Sequence, residues 1–342
     1  MKGEETQKVD STLIDKGGHG CVFTPPIPCK KSKVAKAIKA TKATKATKAR
    51  IVGKVIKKDN AEVELKAASI VKGIPGWQRF FILQEQDSCN SSNFHTLKKT
   101  YSKDCAMMQK AADKNLTQLI SPYGGKTLLS IDSTFDFIGN LRHVLEGCAL
   151  LQEAGLCHYD IKELNILVSD SGTLRLIDFG SAFIGDAVTE DNLWRNQYPF
   201  IPEYGPQPPE FSVQCGLHAG LGYAHSIRET VAKKFAFKLI ENILGITTEK
   251  NAADMKKFWE EQGEWKGDSW VPFFHTYWRK WDSWGVGVIF IRILQMCLFK
   301  HKFVEEVWKK DRDVIKNVLK GLLAVDPRER LTCVAALLLL PH

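Results

Sequence analysis

The stretch CHYDIKELNILV, residues 157–168, restricts the possible folds more than any other segment. It places His158, Asp160, Lys162 and Asn165 within eight positions and then runs into Ile166, Leu167 and Val168. A surface turn before a strand accounts for the apolar end, but not for four groups able to hold or move charge. The four fixed residues of H-x-D-x-K-x-x-N recur by chance about once in 10⁵ positions at average residue usage. The other reading is a loop of chemical groups pinned between a helix and a strand. A helix is expected just before it, because Phe137, Ile138, Leu141, Val144, Leu145, Cys148 and Leu151 form one apolar face and Gly155 is a stop signal. After the loop come a turn at 169–172 and a second apolar run, 174–177.

The rest of the chain must support such a loop. With 342 residues, 44% apolar and 25% charged, it is long enough for two domains or one bilobal unit with a large core. Nine scattered cysteines without a C-x-x-C pair, and no secretory leader, lead us to expect free thiols in a reducing compartment. Cys215, His218 and His225 are close in sequence but lack the four-ligand spacing of a zinc site. The longest apolar runs, 286–294 and 334–340, fall far short of the ~20 residues a membrane-spanning helix needs. The net charge of +9 is matched by the nine basic residues of segment 30–50, which holds no acid, so the body of the protein is neutral on balance. That argues against a protein that binds nucleic acid over its whole surface.

Segment 30–50 includes the repeat KATKATKATKAR, whose three-residue period fits no amphipathic helix. A solvated loop is the plain expectation, and a tether to an acidic partner (nucleic acid, anionic lipid or protein) is the functional one. Around it, 13–23 reads as strand, glycine turn and strand, and 50–56 as a further strand. A helix over 61–72 is expected, capped by Asn60 and ended by Gly73, followed by strands at 80–84 and 116–120. From about residue 134 the pattern is helical, with one helix expected across Val231–Ile243 and another over 252–262, capped by Asn251 and stopped by Gly263. Six of the nine tryptophans, Trp259, Trp265, Trp270, Trp278, Trp281 and Trp284, lie within 26 residues. They suggest either a helical subdomain with its own core or a docking surface.

The order of motifs decides between these readings. A glycine turn, Gly17-Gly18-His19-Gly20, precedes a strand lysine, Lys54, a helical glutamate, the H-x-D-x-K-x-x-N loop, and Asp178-Phe179-Gly180 thirteen residues after Asn165. Further on stand Pro208-Pro209-Glu210, Asp282-Ser283-Trp284-Gly285-Val286-Gly287, and Asp326-Pro327 with Arg330. This order resembles the protein kinase signature set. GGHGCVFTPPIPC, HYDIKELNI, the PPE form and the short PYGG segment are most similar to the divergent serine/threonine kinases of nucleocytoplasmic large DNA viruses. The resemblance implies an α+β, bilobal protein kinase-like fold. Its N-lobe, 1–121, would be a small antiparallel sheet with one main helix and a basic insertion at about 24–50. A hinge at 122–125 and a larger, mostly helical C-lobe, 126–342, with a tryptophan-rich insertion at about 211–281, would follow. An intracellular, host-cytoplasmic location follows from the same resemblance, with virion association as a further expectation.

The resemblance also assigns roles. Gly17, Gly18, His19 and Gly20 would lie over the phosphates of ATP, where a Cβ blocks close approach, with Val22 over adenine. Lys54 would hold the α and β phosphates, paired with Glu64, or failing that Glu62. Glu64 is preferred because Ala67, Ala68, Ile70 and Val71 place small and apolar residues on the packing side. Asp160 would accept or orient the proton of a substrate hydroxyl, and Lys162 would neutralise the γ-phosphate. Asn165 and Asp178 would bind Mg²⁺, with Mn²⁺ as an alternative. Pro122, Tyr123 and Gly124 would contact adenine, with Ser121 as a small gatekeeper. Lys162 resembles the serine/threonine class. His158, Asp282 and a Glu210–Arg330 pair would be structural.

Two positions depart from the pattern. Asp15 stands in place of the first glycine, so its carboxylate should point away from the phosphates. Tyr159 replaces the arginine that pairs with a phosphate on the activation segment, here 181–204, so activity without prior phosphorylation is expected. The competing readings are a pseudokinase or scaffold that binds nucleotide or partners without transfer, a small-molecule kinase of related fold, and a binding protein that uses the basic segment alone.

Overall fold

Strand β3, Ile51–Lys57, organises the first part of the molecule because its two faces meet different layers. Val55 faces a core of Cys21, Phe23, Ile27, Met107, Met108 and Leu116. Ile56, one residue on, faces Ala61, Leu65 and Leu119. The computed structural model describes residues 11–16, 20–27, 51–86, 103, 105–128, 131, 135–262 and 270–341. Contacts divide the chain into two units, 1–69 with 82–124, and 70–81 with 125–342. Segment 30–50, Gly17, Gly18, His19, Gly263 and Trp265 lie outside the described residues.

In the first unit β1 (Thr12–Lys16), β2 (Gly20–Thr24), β3, β4 (Glu85–Gln86) and β5 (Leu116–Pro122) form a sheet in the order β1-β2-β3-β5-β4, with every pairing antiparallel. Helix α1 is Lys58–Lys72. It starts before the expected Asn60 cap, because β3 runs into it without a loop, and Asp59 supplies the acidic first turn that the helix dipole favours. The strand expected over 80–84 is also displaced. Phe80 and Phe81 follow a short 3₁₀ turn, Trp77–Arg79, and pack in the second unit, where Phe80 stacks on His143 and Phe81 bridges Leu176. Of the described residues from 80 onward in this stretch, Glu85 and Gln86 are the ones that pair with β5, on the edge away from β3. Cys21 and Cys105 are joined by a disulfide across 6.2 Å between Cα atoms, which corrects the expectation of thiols throughout. The pairing could not be read from the sequence, since 84 residues separate the two cysteines. Cys148, Cys157, Cys215, Cys297 and Cys333 are free and buried.

The second unit is built on two buried helices. Helix α2, Phe137–Glu153, is capped by Asp136, whose carboxylate accepts the Gly139 N–H, and the chain leaves it through Gly155 at φ 77°. Strands β6 (Lys126–Thr127), β8 (Ile166–Val168) and β9 (Leu174–Leu176) form one small sheet, and β7 (Leu156–Cys157) pairs with β10 (Phe183–Ile184). Helices α3 (Pro209–His218), α4 (Tyr223–Lys233) and α5 (Thr248–Glu261) follow, and α6 (Trp281–Cys297) is buried along nearly its whole length. Among the described residues no single helix is long and apolar enough to cross a membrane.

The helix expected across 231–243 is broken. Lys234 caps α4 in an extended conformation, Phe235 is half-exposed, and a new helical segment starts at Ala236. Helix α5 is capped by Thr247 rather than Asn251, for the Thr247 hydroxyl accepts the Lys250 N–H. Asn251 is buried inside the helix and donates to the Thr247 carbonyl. Trp259, Trp270, Trp278, Trp281 and Trp284 are all at most 1% exposed, so these tryptophans are core and not a docking face. Trp281 stacks on Phe211 at 4.4 Å and Trp259 on Phe273 at 5.9 Å.

Candidate active site

The first unit contributes a buried ion pair. Lys54 lies two residues before Ile56 and shares its sheet face, the face that α1 covers. On α1, Glu64 falls one turn from Ala61 and Ala68, all three of them buried. Lys54 Nζ donates to Glu64 Oε1 at 2.5 Å, with side-chain exposures of 8% and 4%. Glu62 is exposed on the far side of the helix. Gly20 has a packing reason of its own, because a Cβ there would lie 2.4 Å from Ile56 Cγ2 and 2.8 Å from the Val55 carbonyl. Val22 pairs with Asp15 across β1 and β2, and the exposed Asp15 carboxylate accepts the next residue's N–H, from Lys16. Pro122 ends β5, Tyr123 is 40% exposed, and Gly124 is the last residue of this unit. Ser121 pairs with Val52 in the sheet.

The second unit holds the 157–168 loop, pinned from α6. Asp282, in its first turn, accepts the His158 N–H at Oδ2 and the Tyr159 N–H at Oδ1, both at 2.8 Å. Burial pushes the Asp282 carboxyl up, against the pull of His158 and these N–H groups. Tyr159 has φ 66° and Asp178 φ 65°, the two non-glycine residues with positive φ among those described. Such backbone costs energy and persists only where surroundings over-determine it. His158 joins the two positions. Its Nε2 meets the Ile177 carbonyl at 3.1 Å, and its ring lies 4.7 Å from that of Phe179.

The loop's polar groups converge on the Asp160 carboxylate. Lys162 Nζ donates to Oδ2 at 2.7 Å and Asn165 Nδ2 donates to the same oxygen at 2.8 Å. Asn165 Nδ2 also reaches the Asp160 carbonyl at 2.9 Å, which leaves the Asn165 Oδ1 as its acceptor group. Oδ1 of Asp160 accepts the hydroxyl of Tyr204 in a short bond. Burial, then the Asp160 carboxylate, push the Tyr204 phenol far above its ordinary value, so it stays a donor. Asp178 Oδ1 accepts the Gly180 N–H at 3.2 Å.

Tyr159 itself points into an apolar cage. Its ring stacks on Tyr198 at 4.5 Å and meets Phe211 and Trp281 at 5.8 and 6.1 Å. Its hydroxyl accepts from Gln207 Nε2 at 2.8 Å, and Gln207 Oε1 accepts from Ser212. Below the same segment Arg330 makes two bonds to Glu210, of 2.8 and 2.6 Å, with neither side chain exposed. Tyr204, Gln207 and Lys234, which donates to the Tyr204 carbonyl at 2.5 Å, were not singled out by sequence. Lys234 sits in VAKKFAFKLI, where nothing separates the one buried lysine from its neighbours.

The family model of the protein kinase domain matches residues 29–198, about half of the chain. Cyclin-dependent kinase F-1 of Oryza sativa subsp. japonica is 35% identical over 75 residues, 22% of this chain and 15% of that protein. A probable serine/threonine-protein kinase MRK1 homolog of Encephalitozoon cuniculi is 32% identical over 105 residues, 30% of this chain and 31% of the relative. Serine/threonine-protein kinase PknL of Mycobacterium tuberculosis is 55% identical over 40 residues, 12% of this chain and 10% of its own. The chain thus matches at most about a third of the length of these relatives. One unit built on an antiparallel sheet and one mostly helical unit, together with these matches, make this the protein kinase fold and support a protein kinase of the eukaryotic-type superfamily.

Proposed function

We propose that this protein transfers the γ-phosphate of ATP to serine or threonine hydroxyls of other proteins, and does so without a phosphorylated activation segment. The Asp160 carboxylate carries this reading. Lys162 and Asn165 hold its Oδ2, so the group is an oriented acceptor. An incoming hydroxyl donates its proton to Asp160 as its oxygen bonds to the γ-phosphorus and the bond to the ADP oxygen breaks. Lys162, 31% exposed at its side chain, can neutralise the charge that moves. The buried Lys54–Glu64 pair keeps a cation oriented for the α and β phosphates. Asn165 Oδ1 and the Asp178 carboxylate are hard oxygen donors that suit Mg²⁺ or Mn²⁺, and when bound such a cation supplies charge neutralisation at the phosphates.

Independence from phosphorylation is supported by Tyr159. The family's arginine would need a phosphate to satisfy it, whereas Tyr159 is satisfied by Tyr198, Phe211 and Gln207. A pseudokinase or scaffold is the second reading, favoured by Asp15 and Tyr159 standing where the family has a glycine and an arginine, while Lys54, Asp160, Asn165 and Asp178 argue against it. Kinship with the kinases of large DNA viruses, an intracellular site of action with virion association, and an acidic partner for segment 30–50 are proposed with the main reading. They rest on the motifs and on the charge run.

The deciding experiment incubates purified protein with labelled ATP, Mg²⁺ and casein, beside an Asp160→Asn control. Label transferred by the wild type and lost in the control is the expected result. Equal labelling by both, or nucleotide binding with no transfer by either, rejects the enzyme.

A further inference from the structure

Lys234 caps the C-terminal end of α4, in the segment between α3 and α6, and is 1% exposed. Lysine is almost never fully buried unless it is paired with an acid. Here the ammonium donates at 2.5 Å to a neutral group, the backbone carbonyl of Tyr204. Glu210, the buried acid that acts on it most strongly, is taken up in its two bonds to Arg330, and Glu203 is exposed. Burial pushes the Lys234 ammonium down to about 7, against the opposing pull of Glu210, Cys215 and Glu203. Among the described residues the buried Lys234 amine has one hydrogen-bond partner, the Tyr204 carbonyl, and a lysine so costly to bury calls for a use beyond filling space.

The use is at the other end of Tyr204. Its carbonyl is held by Lys234, and its hydroxyl holds Oδ1 of Asp160. A carboxylate has about four acceptor positions. Lys162 and Asn165 occupy both of those on Oδ2, and Tyr204 takes one on Oδ1. Among the described residues one position remains, on Oδ1, at a direction that the Tyr204 hydroxyl sets.

We propose that Lys234 and Tyr204 are positioning residues for Asp160, Lys234 anchoring the backbone of Tyr204 so that its hydroxyl leaves a single acceptor direction open to the substrate's hydroxyl. This makes the segment between α3 and α6 part of the catalytic apparatus. The inference rests on the phosphoryl-transfer reading above.

The test measures steady-state transfer to casein by the full chain, for the wild type, Lys234→Met, Tyr204→Phe and the double variant. Each single variant should lose on the order of 10²-fold in kcat, the scale of a 1 Å misplacement, with the KM for ATP unchanged. The double variant should be no worse than either single one, because both break the same link. A kcat near wild type in Lys234→Met, or losses that multiply in the double variant, overturns the proposal. If Lys234→Met does not fold, Tyr204→Phe decides, since it removes one oxygen, and an unchanged kcat in that variant overturns the proposal as well. A wild type without transfer overturns the kinase reading and this inference together. An active wild type with an unaffected Lys234→Met overturns this inference alone.

Discussion

Tyr159 stacks on Tyr198 with ring centroids 4.5 Å apart and planes 28° from parallel. An apolar contact therefore stands where the family's pattern has an arginine waiting for a phosphate. Protein treated exhaustively with phosphatase should keep its full rate of transfer to casein. A preparation inert until Ser181 or Thr189 is phosphorylated would remove this reading. Tyr159→Arg should lose about 3 kcal/mol or more in stability, because it buries an unpaired guanidinium among aromatic rings, and thermal unfolding measures it.

The Lys54–Glu64 pair predicts unequal effects of two glutamates on one helix. Glu64→Gln removes the Glu64 charge from beside the buried Lys54 ammonium, and the KM for ATP should rise while kcat falls. Glu62→Gln changes an exposed side chain and should alter neither. Equal effects from the two substitutions would remove Glu64 from the site.

Arg330 and Glu210 are both fully buried, and each satisfies the other. Removing one partner leaves an uncompensated buried charge, so Arg330→Met should cost about 3–5 kcal/mol. Replacing both with apolar residues should recover much of that loss. Differential scanning calorimetry of the two variants checks the order, and a double variant less stable than Arg330→Met contradicts it.

The Lys234 environment predicts a pH dependence whose sign is opposite to that of a salt-bridged lysine. Its folded value of about 7 lies below the 10.5 of an exposed lysine. Between those limits the unfolded chain binds more protons, so stability rises with pH. Glu210, Cys215 and Glu203 face it, and Cys215 is pushed up to about 12 by burial, so it does not titrate in the same window. The melting temperature of the wild type relative to Lys234→Met should rise between pH 7 and pH 9. A flat or falling difference would show that Lys234 keeps an ordinary lysine's affinity for its proton.

Much of this molecule is legible in local order. The H-x-D-x-K-x-x-N loop, the apolar face of α2 with Gly155 after it, and the small residues around Glu64 are patterns within about fifteen residues, and short-range geometry sets them. Where the reading missed, a distant partner had intervened. Phe80 and Phe81 carry strand-like residues, but they pack beside His143 and Leu176 and form no sheet strand. The cap of α5 is a local case of another kind: Thr247, four residues earlier, takes the capping bond, and Asn251 is buried within the helix and donates to the Thr247 carbonyl.

The order of residues alone sets which chemical groups the loop carries, their spacing, and the succession of motifs along the chain. These are covalent facts, and the periodicity of helix and strand translates them directly into faces and turns. It took the packed molecule to bring Cys21 to Cys105, to place five tryptophans in the core, and to hold the Tyr204 hydroxyl on Asp160 and the Lys234 amine on the Tyr204 carbonyl. Each of these joins residues far apart in the chain or chooses one lysine among several alike. The choice is made by burial, which selects partners by the space and solvent that remain once the helices have packed.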